Sequence, residues 1–202
     1  MPVDIKALSE FTLGLTWETE EATRRTSHAV RTDDGRVWLV DPVDHPAPMA
    51  RVRELGEPAG VLQLVDRHNS DCAEIARRFG VPHLTVPDAV PGSPVRAIPV
   101  LRMRGWRETA LWWPQHEVLV VAETIGTASA FTAGHGAAGM HPMLRPLPPK
   151  ALRGFAPEHL LAGHGPPVHG AAARGAVDWA YEHARSDIPR LLASLPRLAR
   201  GG

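Results

Sequence analysis

The run Gly60-Val61-Leu62-Gln63-Leu64-Val65 is almost continuously apolar, stops at Asp66, and soon gives way to a helical pattern. A strand with so little polar alternation is buried on both faces, so other layers of the fold must cover it. Cys72, Ile75, Ala76 and Phe79 then fall at i, i+3, i+4 and i+7, which predicts a helix with one apolar face, and Gly80 stands where a C′ glycine ends it. This strand, polar loop and helix form the most constraining unit of the chain.

The remaining segments arrange themselves around it. Strands are predicted over Leu13 to Glu18, Ser27 to Thr32 and Arg36 to Val40, the last two joined by the hairpin signal Asp33-Asp34-Gly35 and the third ended by Asp41-Pro42. A short helix is expected over Ala47 to Leu55, a loop over residues 87 to 99, and a strand pair over Glu108 to Trp113 and Glu117 to Ala122 with a short antiparallel connection. Gly126 to Pro149 reads as a long functional loop and Lys150 to Phe155 as a short helix. A strand over Glu158 to Ala162 runs into Gly163-His164-Gly165. From Ala171 to about residue 200 comes an Ala-rich helical tail, with Pro189 and Pro196 dividing it into shorter helices. There is no internal repeat. The order predicts two central sheets with helices outside, an αββα sandwich, in one domain over residues 1–202.

The 22 basic residues balance the 22 acidic ones without clustering, which argues against nucleic acid or an anionic membrane surface as partner and for a small-molecule ligand or substrate. No apolar run approaches the ~18 residues of a membrane helix, and the opening Met1-Pro2-Val3-Asp4-Ile5-Lys6 lacks the layout of a secretory signal. Cys72 is the one cysteine, so no internal disulfide can form and a cytoplasmic location is expected. Trp38, Trp112 and Trp113 lie in predicted strands and read as core or sheet-face residues.

Polar residues follow three strand ends: Asp66 to Cys72, Glu123, and His164. In these positions the chain resembles the metallo-β-lactamase-fold hydrolases over nearly its whole length. Val37-Trp38-Leu39-Val40-Asp41 resembles the family's second-sheet strand with its terminal aspartate. Asp66-Arg67-His68-Asn69-Ser70-Asp71-Cys72 stands in the place of the signature His-x-His-x-Asp-His. Val120-Val121-Ala122-Glu123 resembles the strand that supplies the bridging carboxylate, and Leu160-Leu161-Ala162-Gly163-His164-Gly165 the late strand with the last histidine. The resemblance implies the αββα metallo-β-lactamase-like sandwich and a two-metal centre at the strand ends.

The ligands depart from that pattern. Aligned on Asp71, the first two signature histidines become Arg67 and Asn69, and the fourth residue becomes Cys72. Gly105-Trp106-Arg107 occupies the stretch where the family has a middle histidine. One metal position therefore loses its ligands, while Asp71, Cys72, Glu123 and His164 remain as a possible single zinc site. Each also has a structural reading: Asp71 with Glu74 as a helix-capping pair, Cys72 as a core residue, Glu123 as a solvated strand end, His164 as a turn residue. His135, His141 and His169 read as exposed loop histidines. A permanently charged Arg67 beside Asp71 and Glu123 would take over the cation's electrostatic role and repel a divalent ion, which places a metal-free state ahead of a mono-metal one.

Three functions stay open. A non-catalytic relative would hold a small anionic ligand through Arg67, His68, Asn69, Trp106 and the loop from Gly126 to Pro149. A mono-zinc hydrolase would act on a small ester, thioester or amide, with Asp71 or Glu123 orienting or deprotonating the attacking water. Last comes metal-independent chemistry at Cys72 with His164 or His68 as base.

Overall fold

The hairpin turn at Asp33-Asp34-Gly35 forms as its residues require. Gly35 takes φ 81°, and the Asp34 carboxylate accepts hydrogen bonds from the Thr32 hydroxyl, the Arg36 amide and the Arg36 guanidinium. A computed structural model of the chain describes residues 4–20, 24–67 and 71–198, with side chains of the last helix as far as residue 193.

In chain order the elements are β1 (Ile5–Phe11), β2 (Gly14–Thr19), β3 (Thr26–Arg31), β4 (Arg36–Val40), α1 (Pro46–Leu55), β5 (Glu57–Gln63), α2 (Cys72–Phe79), β6 (His83–Thr85), β7 (Arg96–Met103), β8 (Trp106–Trp113), β9 (Val118–Val121), β10 (Ile125–Gly126), α3 (Ser129–Thr132), β11 (Gly139–Met140), β12 (His159–Ala162), β13 (Val168–His169), α4 (Ala171–Glu182) and α5 (Ile188–Leu198). Strands β1 to β6 form one sheet in sequence order, antiparallel as far as β4. From there α1 and α2 act as helical crossovers, and β4, β5 and β6 run parallel. The second sheet has the order β13-β12-β9-β8-β7, with β9 and β12 parallel, and β10 and β11 make a small separate ribbon.

The period of two in each strand sorts its side chains between layers. Ala29, Val37, Leu39 and Val61 pack with Met49 and Val52 of α1 and with Cys72, Ile75 and Ala76 of α2. Their neighbours Val30, Trp38, Val40 and Leu62 turn the other way, into a core shared with the second sheet and with Ala173, Ala176, Val177 and Ala180 of α4. Helix, sheet, sheet, helix is therefore the order of layers. Trp38 and Trp113 are buried in the core, and Trp112 packs edge-on against Phe155. Among the described residues no helix is long and apolar enough to cross a membrane.

Several sequence expectations need correction. The polar opening segment contains an edge strand, β1, which among the described residues pairs only with β2 and leaves most of its side chains exposed, so its apolar signal is weak. The loop placed over residues 87 to 99 ends at Arg96, where β7 begins despite Pro99, and pairing with β8 is irregular next to that proline. Gly126 to Pro149 contains α3, β11 and a one-turn 3-10 helix at Pro142–Leu144. Lys150 to Phe155 forms turns, not a helix. The helical tail breaks between α4 and α5, before Pro189. That proline sits in the first turn of α5, where its missing N–H costs nothing, and Pro196 lies within the span of α5.

Candidate functional site

Three of the strand-end segments meet at one edge of the sandwich. Beyond β5 the chain crosses to the second sheet: the Thr109 amide donates to the Leu64 carbonyl at 3.0 Å, the Asp66 amide to the Arg107 carbonyl at 3.2 Å, and the Arg107 amide to Asp66 Oδ1 at 2.8 Å. These bonds hold Trp106 beside Arg67, whose guanidinium lies 3.9 Å from the ring centroid, a cation–π contact. Glu123 follows β9, and Arg67 Nε and Nη2 both reach its Oε2, at 2.8 and 2.7 Å. Glu123 is only 3% exposed, so the carboxylate and its counter-charge meet largely away from water.

Beneath this pair lies a carboxyl that sequence reasoning did not single out. Glu108 is fully buried, its Oε1 accepts from the amides of Glu123 and Thr124 at 3.0 Å each, and its Oε2 accepts from the Thr124 hydroxyl at 2.8 Å. Burial raises its pKa against the pull of those three bonds. Its role is to hold the turn that presents Glu123. A carboxyl just before the apolar run Ala110 to Trp113 was the available signal.

His164 follows β12 and is 8% exposed, with its ring stacked on Phe131 at 5.3 Å. Both flanking glycines are demanded by packing. A Cβ at Gly163 would sit 2.4 Å from the Ala122 carbonyl oxygen, and one at Gly165, where φ is +96°, would sit 2.3 Å from the Ala128 amide. Close approach of β12 to the end of β9 and to the following loop thus explains both glycines of the Gly-His-Gly pattern.

His141 was expected to be exposed and is not. It packs edge-on against Trp106 at 4.8 Å and Phe131 at 5.5 Å, and its Nδ1 accepts from the Met143 amide. Burial lowers its pKa to about 4; the charge of Glu123 opposes this, while Arg67 and His164 add to it. It is therefore a neutral imidazole at neutral pH, beside Glu123, Arg67 and His164. No periodicity in its glycine- and proline-rich loop could have placed it there. His135 also has a partner, Asp187 at 2.7 Å, and His169 contacts His159.

The four proposed zinc ligands do not share one place. Cys72 is fully buried in the outer core between α2 and the first sheet, since the apolar stripe of the helix must face that sheet. Asp71 makes no capping bond to its own helix and is not paired with Glu74. Its Oδ2 accepts from the Asp44 amide at 2.8 Å, and Glu74 instead pairs with Arg77. Glu123 carries the guanidinium of Arg67. Among the described residues no three His, Cys, Asp or Glu side chains converge in a way that would hold a metal ion. The donor set present does not fit the expected zinc site. His68 and Asn69, the other two proposed ligand-binding residues, lie outside the described residues. Asp41, the strand-end aspartate, accepts from the Leu64 amide at 3.0 Å and ties β4 to β5.

Two mixed sheets, helices on their outer faces and polar residues at the strand ends define the αββα sandwich of the metallo-β-lactamase fold. Solved structures bear this out. The chain is similar to the DIM-1 metallo-β-lactamase (10% identity, 91% of this chain and 98% of that one, TM-score 0.58). It is similar to the FIM-1 metallo-β-lactamase from Pseudomonas aeruginosa in its mono-zinc form (11% identity, 93% and 97%, TM-score 0.56). A third similar structure is a chemotaxis sensor, ODP, solved with a peroxy diiron species (13% identity, 87% and 94%, TM-score 0.53). No protein-family model matches the sequence, and no curated protein matches it.

Proposed function

We propose that this chain is a protein of the metallo-β-lactamase fold whose strand-end centre holds no metal, binds a small anionic molecule at Arg67 and does not hydrolyse it, in the cytoplasm that its single cysteine suits. The observation that carries the reading is the pair of bonds from Arg67 Nε and Nη2 to Glu123 Oε2. A guanidinium cannot be deprotonated at any physiological pH, so it keeps a unit of positive charge where a bridging carboxylate would otherwise face a cation. Both bonds end on one oxygen, and the Nη1 edge of the guanidinium takes no part in them. Trp106 and His141 wall the group with apolar and neutral surface, which strengthens a charge-assisted contact to an incoming carboxylate or phosphate. The ODP sensor supports the idea that this fold serves purposes other than β-lactam hydrolysis.

A mono-zinc hydrolase of a small ester, thioester or amide is the second reading. It is favoured by one observation, the presence of His141 near both Glu123 and His164. Elemental analysis of protein purified without chelator separates the two. The metal-free reading expects wild type and Glu123→Gln to carry the same transition-metal content, within about a tenth of an equivalent. An equivalent of metal present in wild type and lost in both Glu123→Gln and His164→Gln overturns it in favour of the hydrolase.

A further inference from the structure

The far end of β12 carries a second constellation. His159 is the first residue of that strand, at the opposite end from His164, and the antiparallel register of β12 with β13 sets it directly opposite His169. Directly opposed residues project to the same face of a sheet. Their Nδ1 atoms are 2.8 Å apart, with ring centroids at 4.9 Å and planes at 72°. Phe11, at the end of β1, packs against both rings, at 5.1 Å from His159 and 5.4 Å from His169. His159 is half-buried and His169 exposed, so solvent reaches the pair.

We propose that His159 and His169 form a two-imidazole site for one borderline divalent cation of the Cu(II) class, with water completing the coordination. Bonds of ~2.0 Å from a metal to two imidazole nitrogens separate those nitrogens by about 2.8 Å at a right angle and by about 3.3 Å at the tetrahedral angle. The observed 2.8 Å is the hydrogen bond of the metal-free pair, and it leaves both nitrogens within reach of one ion after a turn of the rings. Tetragonal nitrogen and oxygen coordination is the preference of Cu(II) and Ni(II), and Cu(II) heads the affinity order of the divalent series. Without metal, one Nδ1–H donates to the other Nδ1. On chelation both rings turn outward about χ2, the Nδ1 proton is replaced by one on Nε2 of the same ring, and no net proton is released.

The surroundings suit that role. Burial lowers the pKa of both histidines, the His159 imidazole lowers that of His169 further, and the charge of Glu158 opposes the effect on each. Each of these effects but that of Glu158 favours the neutral ring, the state that binds metal. Glu158 is held by Arg174 at 2.6 Å and contributes negative potential from beside the site. Phe11 packs against both rings and covers them on one side.

Metal-stripped full-length protein titrated with Cu(II) and followed by electron paramagnetic resonance tests the assignment. The first equivalent is expected to give a tetragonal signal split by two nitrogens. His159→Gln and His169→Gln should each weaken that equivalent at least about tenfold and leave one-nitrogen splitting, while Glu123→Gln, at the other end of β12, should bind as wild type. Circular dichroism on each variant checks that the fold is kept. A first equivalent with unchanged affinity and splitting in both histidine variants overturns the proposal.

Discussion

The ion pair of Arg67 with Glu123 illustrates how far a single side chain sets the character of the strand-end centre. Removing the guanidinium would take two charge-assisted hydrogen bonds from a carboxylate that is 3% exposed. Arg67→Leu is therefore expected to lower stability by about 1.5–3 kcal/mol at neutral pH, read from urea unfolding, and Arg67→Lys to lose less because it keeps the charge but not the fork. A Leu variant as stable as wild type would mean that Glu123 finds other compensation. Sequence reasoning set Arg67 among carboxylates on charge alone, and the structure selects Glu123 while Asp71 turns to the Asp44 amide. Glu108 and His141 escaped it for different reasons. The first lies within a strand whose burial could be read but whose partners could not, and the second lies in a segment without periodicity.

At the scale of elements, α2 and the turn after β12 were the easiest to read, and their glycines have distinct physical roles. Gly80 ends α2 at φ 69° with open space around the site of a Cβ, so Gly80→Ala should cost only the left-handed backbone penalty, about 1 kcal/mol. At Gly163 a Cβ meets the Ala122 carbonyl oxygen at 2.4 Å, backbone against backbone, and Gly163→Ala should cost about 1–3 kcal/mol and displace His164. Paired urea titrations check the order of the two, which the packing account requires. Elements that failed to show in the sequence share one feature, weak local patterning. β1 is an edge strand exposed along most of its length, and β10, β11 and α3 are each too short for a period to repeat.

At the scale of the whole molecule, His28 joins the two sheets. Its Nε2–H donates to the Ala162 carbonyl at 3.2 Å, from β3 across to β12, and its buried Nδ1 has no hydrogen-bond partner among the described residues. Burial lowers its pKa from 6.5 to about 3, opposed by that one bond. The unfolded chain thus binds a proton near pH 6.5 that the folded one refuses until about pH 3, so stability is complete above 6.5 and falls as pH drops through that window. Between about pH 6.5 and about pH 4.5 the wild type should lose up to about 1.4 kcal/mol per pH unit more than His28→Leu, as measured by urea midpoints at each pH. Equal slopes would show that His28 titrates as freely in the fold as outside it. Layer order and the strand ends that carry polar groups are legible along the chain, because periods of two and 3.6 are local and repeat. Which of those groups meet depends on contacts between distant segments. Cys72 and Asp71 are neighbours in sequence, yet the apolar stripe of α2 takes one into the outer core and a neighbouring loop amide takes the other. Arg67 and Glu123 come together because the crossing at Asp66 and Arg107 brings the ends of two sheets together, a contact no local pattern encodes.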